Sequence, residues 1–326
     1  MPLALSIGAL HSKLMPPKGG RAMLLTDVPR YVRDEMGLAG LLLTTDVLAG
    51  ADRARLMQIL ECADKASCPV LGLSEVKPMD LASEDDRVGD AAIERCMRVA
   101  QAAHWMGCSA FSIPIQAPDT DEALDIIADR LKLVARRSEK LDLNLAIAPG
   151  RGLTTKAERV GELLKRIGGF RIGTLPDFAT AALDADPIAY LRRLVPYASI
   201  VLATGTKFES AVQMGKGVTK GAGKSAAKGA AKGKQPEPDA AVLTPGQRAA
   251  GLVHTPYDIG QMVAVLIAVG FEGPIAIDYR GEGDPVAPIL HIKGILDRFL
   301  STGVDEDILE GLDDLPELPA DDDEKV

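Results

Sequence analysis

The residues best suited to chemistry are two aspartates that each follow an apolar run. Asp177 stands in the stretch FRIGTLPDFATA, and Asp278 stands in PIAIDY. An unpaired carboxylate is costly to bury, so we expect each aspartate to have a partner or a ligand. Two carboxylates at one site could bind a divalent cation. They could also pass a proton without a metal if the pKa of one were raised.

Other polar residues follow apolar runs in the same way. His11 and Glu75 are weaker catalytic candidates, and Arg151, Lys207 and Arg280 are weaker candidates for substrate binding. Each has a structural alternative: His11 can bond a backbone carbonyl, Glu75 can cap a helix, and Arg151 can be solvated. The residues at the ends of the apolar runs are His11, Asp46, Glu75, Gln116, Arg151, Asp177, Lys207, Asp278, Arg280 and Glu282.

A regular alternation of strand and helix would position these residues. Strand patterns cover residues 3–10, 39–45, 69–75, 109–115, 143–149, 171–175, 199–203 and 274–279. Eight strands and about eight helices predict an α/β fold, a (βα)8 TIM barrel, whose sites lie at the carboxyl ends of the strands. A doubly wound sheet is the alternative, but SIGALHSKLMPPKGG lacks the GxGxxG turn expected after its first strand.

Helical spacing appears between the strands, over residues 90–106, 121–138, 255–269 and 284–300. The segment TTKAE predicts a helix with Thr154 or Thr155 as its N-cap. In DPIAYLRRLV, Pro187 suits the first turn of a short helix.

The predicted organisation is a single TIM-barrel domain over residues 1–303 with an acidic flexible tail over 304–326. A low-complexity insertion of about residues 209–250 follows strand seven. Lysines at 216, 220, 224, 228 and 232 stand among Gly and Ala, which predicts disorder. The insertion is either a tolerated loop or a cationic arm for an acidic partner, including the protein's own tail, which holds eleven acids and one lysine.

Composition excludes several functional classes. The net charge is −9, and no basic patch covers the predicted barrel, so nucleic acid is not an expected partner. No apolar run is long enough to span a membrane, and the N-terminus lacks the basic region of a signal peptide. Four cysteines without CxxC spacing predict reduced core thiols, and the expected location is the cytoplasm.

The stretches GTLPDFAT and HTPYDIGQMVAVLIAVGFEGPIAIDYRGEGDP resemble a known family. Over nearly its whole length the chain is similar to the xylose-isomerase-like TIM barrels, the sugar phosphate isomerase/epimerase superfamily that includes endonuclease-IV-type enzymes. The resemblance implies a divalent metal (Mn, Co, Mg or Zn) bound by Glu, Asp, His and Glu on strands five to eight. It also implies that the two glutamates move protons beside a carbonyl group.

Only half of this ligand set is present. Ala148 stands where the first glutamate is expected, and Leu202 stands where the histidine is expected. Asp177 matches the family's aspartate, and Asp278 replaces the second glutamate with a side chain one methylene shorter. The resemblance therefore carries only Asp177 and Asp278 over as remnants of the metal site.

A shift in register does not restore the missing ligands. No glutamate occurs between Glu139 and Glu158, and no histidine follows strand seven before His254. Thr180 also stands where the family often has a histidine, and Thr204 stands where a lysine is common.

These substitutions predict a barrel that has lost metal-dependent chemistry, needs no cofactor, and acts as a binding or regulatory protein for a small carbohydrate. The alternative is an active isomerase or epimerase for a sugar or sugar phosphate, with a rearranged site that uses Asp177 and Asp278. A nucleic-acid-processing enzyme is disfavoured, because such relatives use several metal-binding histidines. The four histidines are His11, His104, His254 and His291, and two of them, His104 and His291, lie in helical patterns.

Overall fold

The computed structural model describes residues 1–16, 20–210 and 244–302. Its strands are β1 (Leu3–Ser6), β2 (Leu41–Thr44), β3 (Val70–Ser74), β4 (Ala110–Ala117), β5 (Asn144–Gly152), β6 (Ile172–Thr174), β7 (Val201–Gly205), β8 (Phe208–Ser210), β9 (Leu252–His254) and β10 (Ile275–Tyr279). Eight of them form one parallel sheet in the order β6-β5-β4-β3-β2-β1-β10-β7.

The two edge strands of this sheet meet and close it into a barrel. Parallel bridges join Thr174 to Ala198 and Asp177 to Leu202. The backbone N–H of Leu202 donates to the carbonyl of Pro176 over 2.9 Å. The predicted (βα)8 TIM barrel is thereby confirmed.

Helices follow the strands and surround the barrel. They are α1 (His11–Leu14), α2 (Val28–Met36), α3 (Arg53–Lys65), α4 (Asp86–Trp105), α5 (Asp121–Glu139), α6 (Ala157–Ile167), α7 (Phe178–Ala181), α8 (Pro187–Leu194), α9 (Pro245–Ala250), α10 (Ile259–Ala268) and α11 (Val286–Thr302). Pro187 opens α8 as predicted, and the Asp186 side chain caps it. No helix in the described ranges is both long and apolar enough to cross a membrane.

Alternate residues of each strand divide the apolar core in two. One set, which includes Leu5, Phe111 and Ile277, packs in the main core with the apolar faces of the helices. The other set lies inside the barrel and consists of Ala4, Leu42, Ala146, Ala148, Leu175, Ile200, Leu202 and Ala276. Half of these eight residues are alanines, so small side chains leave space above them.

Three predicted helix starts are wrong. Helix α4 begins at Asp86, where the Asp85 side chain caps it, and not at residue 90. Helix α6 begins at Ala157 after a 3-10 turn (Leu153–Thr155), so neither threonine is its N-cap. The hydroxyl of Thr154 instead donates to the carbonyl of Ile115 over 2.8 Å, because this contact with the end of β4 is available only in the folded barrel. Helix α10 begins at Ile259, where the Asp258 side chain accepts from two backbone N–H groups, and not at residue 255.

Strands β8 and β9 form a two-stranded antiparallel sheet after the barrel strand β7. Phe208 pairs with His254, and Ser210 pairs with Leu252. This small sheet and α9 lie partly within the range 209–250 assigned to the insertion, so the described structure reaches into both ends of that range. Residues 211–243 and 303–326 lie outside the described residues, and the predictions for the lysine-rich segment and the acidic tail stay predictions. The single domain over 1–303 also stays a prediction.

Candidate functional site

A cavity of about 970 Å³ opens at the carboxyl ends of the barrel strands. We call it the mouth cavity. One side, from β10 and β1–β3, carries polar side chains. The opposite side, from β5–β7, is apolar along the strands and carries Asp177 and Thr180 just after β6. The polar side includes Ser6, Thr44, Ser74 and Asp278, and the apolar side includes Ala148, Leu175 and Leu202.

Asp177 is buried at the edge of the mouth cavity, where β6 leads into the short helix α7. Its Oδ1 accepts hydrogen bonds from the backbone N–H of Ala179 (3.1 Å) and the hydroxyl of Thr204 (2.6 Å). Its Oδ2 accepts from the hydroxyl of Thr180 (3.2 Å) and from Nη1 of Arg280 (2.7 Å). Both carboxylate oxygens are therefore fully engaged.

Asp278 lies near the end of β10 with only 4% of its surface exposed. Its Oδ2 accepts a 2.8 Å hydrogen bond from Nε of Arg280. Its buried Oδ1 makes no hydrogen bond of good geometry within the described part of the chain, although the hydroxyl of Ser6 lies close enough to lower the pKa of the carboxyl slightly. Burial raises the pKa of Asp278, and the nearby Asp177 carboxylate adds to this effect while Arg280 opposes it. The two aspartates predicted as the centre of the site therefore share one arginine but differ in their environments.

Arg280 bridges the two aspartates through Nε and Nη1. Burial acts to lower the pKa of Arg280, but the two carboxylates outweigh it and raise the pKa above its ordinary value. About half of the side chain remains exposed (46%), and Arg280 lines the mouth cavity. The sequence analysis assigned Arg280 to substrate binding, and the structure also makes it the counter-ion of Asp177 and Asp278.

Tyr257 holds the backbone of a residue that bonds Asp177, and the sequence analysis did not identify it. Its hydroxyl donates to the backbone carbonyl of Thr204, the residue whose side chain bonds Asp177. The tyrosine is in turn connected to His254, whose Nδ1 lies 2.9 Å from the Tyr257 carbonyl and whose Nε2 accepts from the backbone N–H of Thr206. Burial lowers the pKa of His254, which favours this neutral tautomer with the proton on Nδ1.

Glu75 is buried in a network that occupies both of its oxygens. Oε1 accepts from the hydroxyl of Thr45 and from the backbone N–H groups of Val76 and Lys77, and Oε2 accepts from Arg95 over 2.7 Å. Burial alone would raise the pKa of Glu75, but these hydrogen bonds together outweigh it and lower the pKa. Glu75 therefore holds β3 to the neighbouring elements as an ionised carboxylate, which makes it a poor proton donor.

The remaining candidates lie at or beyond the rim. His11 is exposed at the edge of the mouth cavity, with Nδ1 3.8 Å from Oδ2 of Asp46. Arg151 is exposed at the end of β5 and is not among the lining residues. Lys207 also lies outside the lining and pairs with Glu209 over 2.9 Å. The structure thus brings together Asp177, Asp278 and Arg280 but not these three.

The side chains present do not fit a divalent cation. Ala148 and Leu202 offer only apolar surface to the cavity, and hard cations need oxygen ligands. One oxygen of each remaining carboxylate is occupied by Arg280. Across residues 1–16, 20–210 and 244–302, no group of three or more His, Cys, Asp or Glu side chains is arranged to hold a metal ion.

Comparison with known proteins matches no family model and no curated protein. Solved structures do match. An L-ribulose 3-epimerase covers 98% of this chain and 99% of its own length, at 13% identity and a TM-score of 0.65. The fold is that of the xylose isomerase-like TIM barrels. A 3-keto-D-glucoside 4-epimerase from E. coli matches at 10% identity over 91% of this chain and 99% of its own, with a TM-score of 0.62.

A xylose isomerase-like TIM barrel protein from Mycobacterium smegmatis, solved in complex with magnesium, also matches. It is 14% identical, covers 92% of this chain and 97% of its own, and has a TM-score of 0.60. At these identities the likeness shows a common fold. The magnesium is a property of that protein, and it does not show that the mouth cavity described here binds a metal.

Proposed function

We propose that this protein is a metal-independent barrel that binds a small carbohydrate in its mouth cavity. The observation that carries the proposal is the position of Arg280, whose guanidinium lies between the carboxylates of Asp177 and Asp278. These are the two positions that correspond to remnants of the metal-binding set. A covalently attached cation therefore lies between them and offsets part of their charge.

This internal cation differs from a bound metal in its chemistry. A guanidinium stays protonated at all physiological pH values and donates hydrogen bonds in fixed directions. It has no open coordination position through which to polarise a substrate oxygen in the way that a metal ion does. Arg280 can orient a ligand through its exposed edge while it stays bonded to both aspartates.

The cavity itself supports a small, polar ligand. Its volume of about 970 Å³ is at the upper end of the usual range for small-molecule sites. Hydroxyl groups from Ser6, Thr44 and Ser74 line one side. The epimerases that share the fold act on sugars, as their names state. These observations favour a carbohydrate over a nucleic acid or an extended peptide.

A second function is a metal-independent isomerase or epimerase that uses Asp177 and Asp278. It is favoured by one observation, the raised pKa of the buried Asp278 beside a carboxylate that keeps several donors. Such a difference between two acids can support proton exchange. Incubation of ketoses and aldoses in D₂O with the metal-free protein tests it: loss of a C–H signal by NMR that disappears in Asp278→Asn would support turnover.

The deciding experiment for the main proposal is metal analysis. Purified protein is incubated with Mn²⁺, Co²⁺, Mg²⁺ or Zn²⁺, desalted, and analysed by mass spectrometry of the elements, alongside Asp177→Ala. We expect no stoichiometric metal in either protein, together with sugar binding by calorimetry in the presence of a chelator. One metal per chain in the wild type that is lost in Asp177→Ala would overturn the proposal.

A further inference from the structure

We infer that the ligand of the mouth cavity is uncharged and two-sided, with hydroxyl groups along one edge and an apolar group, such as the methyl of a deoxy sugar, along the other. The inference rests on the proposed carbohydrate-binding function and adds to it a ligand class that excludes sugar phosphates. Three independent features of the cavity lead to it.

The first feature is a pair of under-used oxygens on the polar side. Oγ1 of Thr44 is buried without a hydrogen-bond partner in the described ranges, Oδ1 of Asp278 has at most a weak contact with the hydroxyl of Ser6, and all three residues line the cavity. A buried polar atom without a partner is costly, so such atoms usually bind a ligand or an ordered water. Hydroxyl groups of a sugar can both donate and accept, which suits a threonine hydroxyl and a carboxyl oxygen.

The second feature is the opposite side, where the family's ligand positions have become apolar. Ala148, Leu175 and Leu202 line the cavity and belong to the apolar cluster inside the barrel. Asp177 and Thr180 lie on this side too, but they bond each other, and Asp177 is also bonded to Arg280 and Thr204. A sugar hydroxyl placed against the three apolar side chains would lose its water without gaining a partner. A methyl or methylene group placed there would gain from burial.

The third feature is the charge balance. The acidic and basic side chains that line the cavity are His11, Glu75, Asp177, Asp278, Arg280 and Glu282. Arg280 is already bonded to two carboxylates, and Glu75 is bonded to Arg95 outside the cavity. A phosphate dianion would therefore meet acids without an uncompensated arginine or lysine among these lining residues, and like charges disfavour binding.

Calorimetry in chelator with three matched sets of sugars tests the inference. Each set contains a hexose, its 6-deoxy form and its 6-phosphate, in the galactose, glucose and fructose series. In the series that binds, we expect the 6-deoxy sugar to bind about 10-fold more tightly than the parent, because no hydroxyl is left against the apolar side. The 6-phosphate should bind at least about 10-fold more weakly than the parent.

Two variants separate the sides of the cavity, with folding checked by circular dichroism. Leu202→Asn, of similar size, should abolish the preference for the 6-deoxy sugar. Thr44→Val should weaken the parent and 6-deoxy sugars by the same factor and keep their ratio. Binding of sugars without a deoxy preference, or equal binding of the phosphate, would overturn this inference and leave the proposed function standing. Absence of binding by every sugar would overturn both.

Discussion

Replacement of Arg280 by methionine removes the cation shared by Asp177 and Asp278 while it keeps an unbranched apolar side chain of similar length. Both carboxylates are at least 96% buried, and each would lose a hydrogen bond of 2.7–2.8 Å. Their like charges would then be opposed chiefly by the hydroxyl groups of Thr204 and Thr180 at Asp177. We expect Arg280→Met to destabilise the fold.

The size of the effect follows from burial. Removal of one partner from a buried ion pair costs about 3–5 kcal/mol. Nearly half of the Arg280 side chain is exposed, so solvent screens part of the interaction, and we reduce the expected loss to about 2 kcal/mol at pH 8. This loss is large enough to measure, because a typical domain has only about 5–15 kcal/mol of stability.

The loss should depend on pH. The pKa of Asp278 is raised in the native state, so its contribution to stability is greatest below the unfolded value, about 3.9, and is lost as the pH rises through the native pKa. Because Arg280 opposes this rise, its removal should raise the pKa of Asp278 further. The free energy lost in Arg280→Met should therefore increase from pH 5 to pH 8.

Urea unfolding at pH 5 and pH 8 measures the difference. Arg151→Met is the matched control, since Arg151 is exposed and outside the mouth cavity, and it should change stability by less than about 0.5 kcal/mol. Asp278→Asn added to Arg280→Met should recover part of the loss at pH 8, because the uncompensated charge is gone. Equal losses at both pH values, or a loss no larger than that of the control, would refute the reasoning.

Three further outcomes are expected. Glu75→Gln should lower the free energy of unfolding by about 1–2 kcal/mol at pH 7. Because the native pKa of Glu75 is lowered, this loss should shrink in urea unfolding as the pH falls below about 4.3, the pKa of an unfolded glutamate. A loss that grows at low pH would contradict the hydrogen-bond network around Glu75. A Cβ at Gly150 would lie 2.0 Å from the carbonyl oxygen of Ile115, so Gly150→Ala should lower the stability by about 3 kcal/mol in thermal unfolding. Gly161 lies inside helix α6 with open space where a Cβ would be added, so the control Gly161→Ala should raise the stability by about 0.5–1 kcal/mol. Burial raises the thiol pKa values of the three buried cysteines to about 11 to 12, so Ellman's reagent at pH 8 should titrate at most the partly buried Cys62 in the native protein and all four thiols in guanidinium.

The barrel could be predicted from the sequence because each strand and helix carries its own periodic signal. The positions of Asp177 and Asp278 at the mouth followed from the same signal, since the ends of parallel strands meet at one end of a barrel. The identity of their partner needed one more step. Arg280 lies two residues after Asp278, and residues at this spacing on a strand share a face.

Other features depend on contacts that no local pattern reveals. Tyr257 bonds the carbonyl of Thr204, which is 53 residues away in the chain. Thr154 has the residue type of a helix cap, but its hydroxyl finds a carbonyl on the neighbouring strand β4. In both cases the side-chain hydroxyl bonds a backbone carbonyl that is distant in sequence. Rules based on local sequence would make the threonine a helix cap and would give the tyrosine no role.

The two-stranded sheet of β8 and β9 bears on how the chain tolerates insertions. The described structure stops at Ser210 and resumes at Thr244, just before α9. The carbonyl of Ala249 in α9 is hydrogen-bonded to His291 of the closing helix α11. Both attachment points are thus anchored on one side of the barrel, and Ser210 pairs with Leu252. Each doubling of a loop between fixed ends costs only about 0.6 kcal/mol in closure entropy. Segments of very different length can therefore be accommodated between β8 and α9 without a change in any of the eight barrel strands.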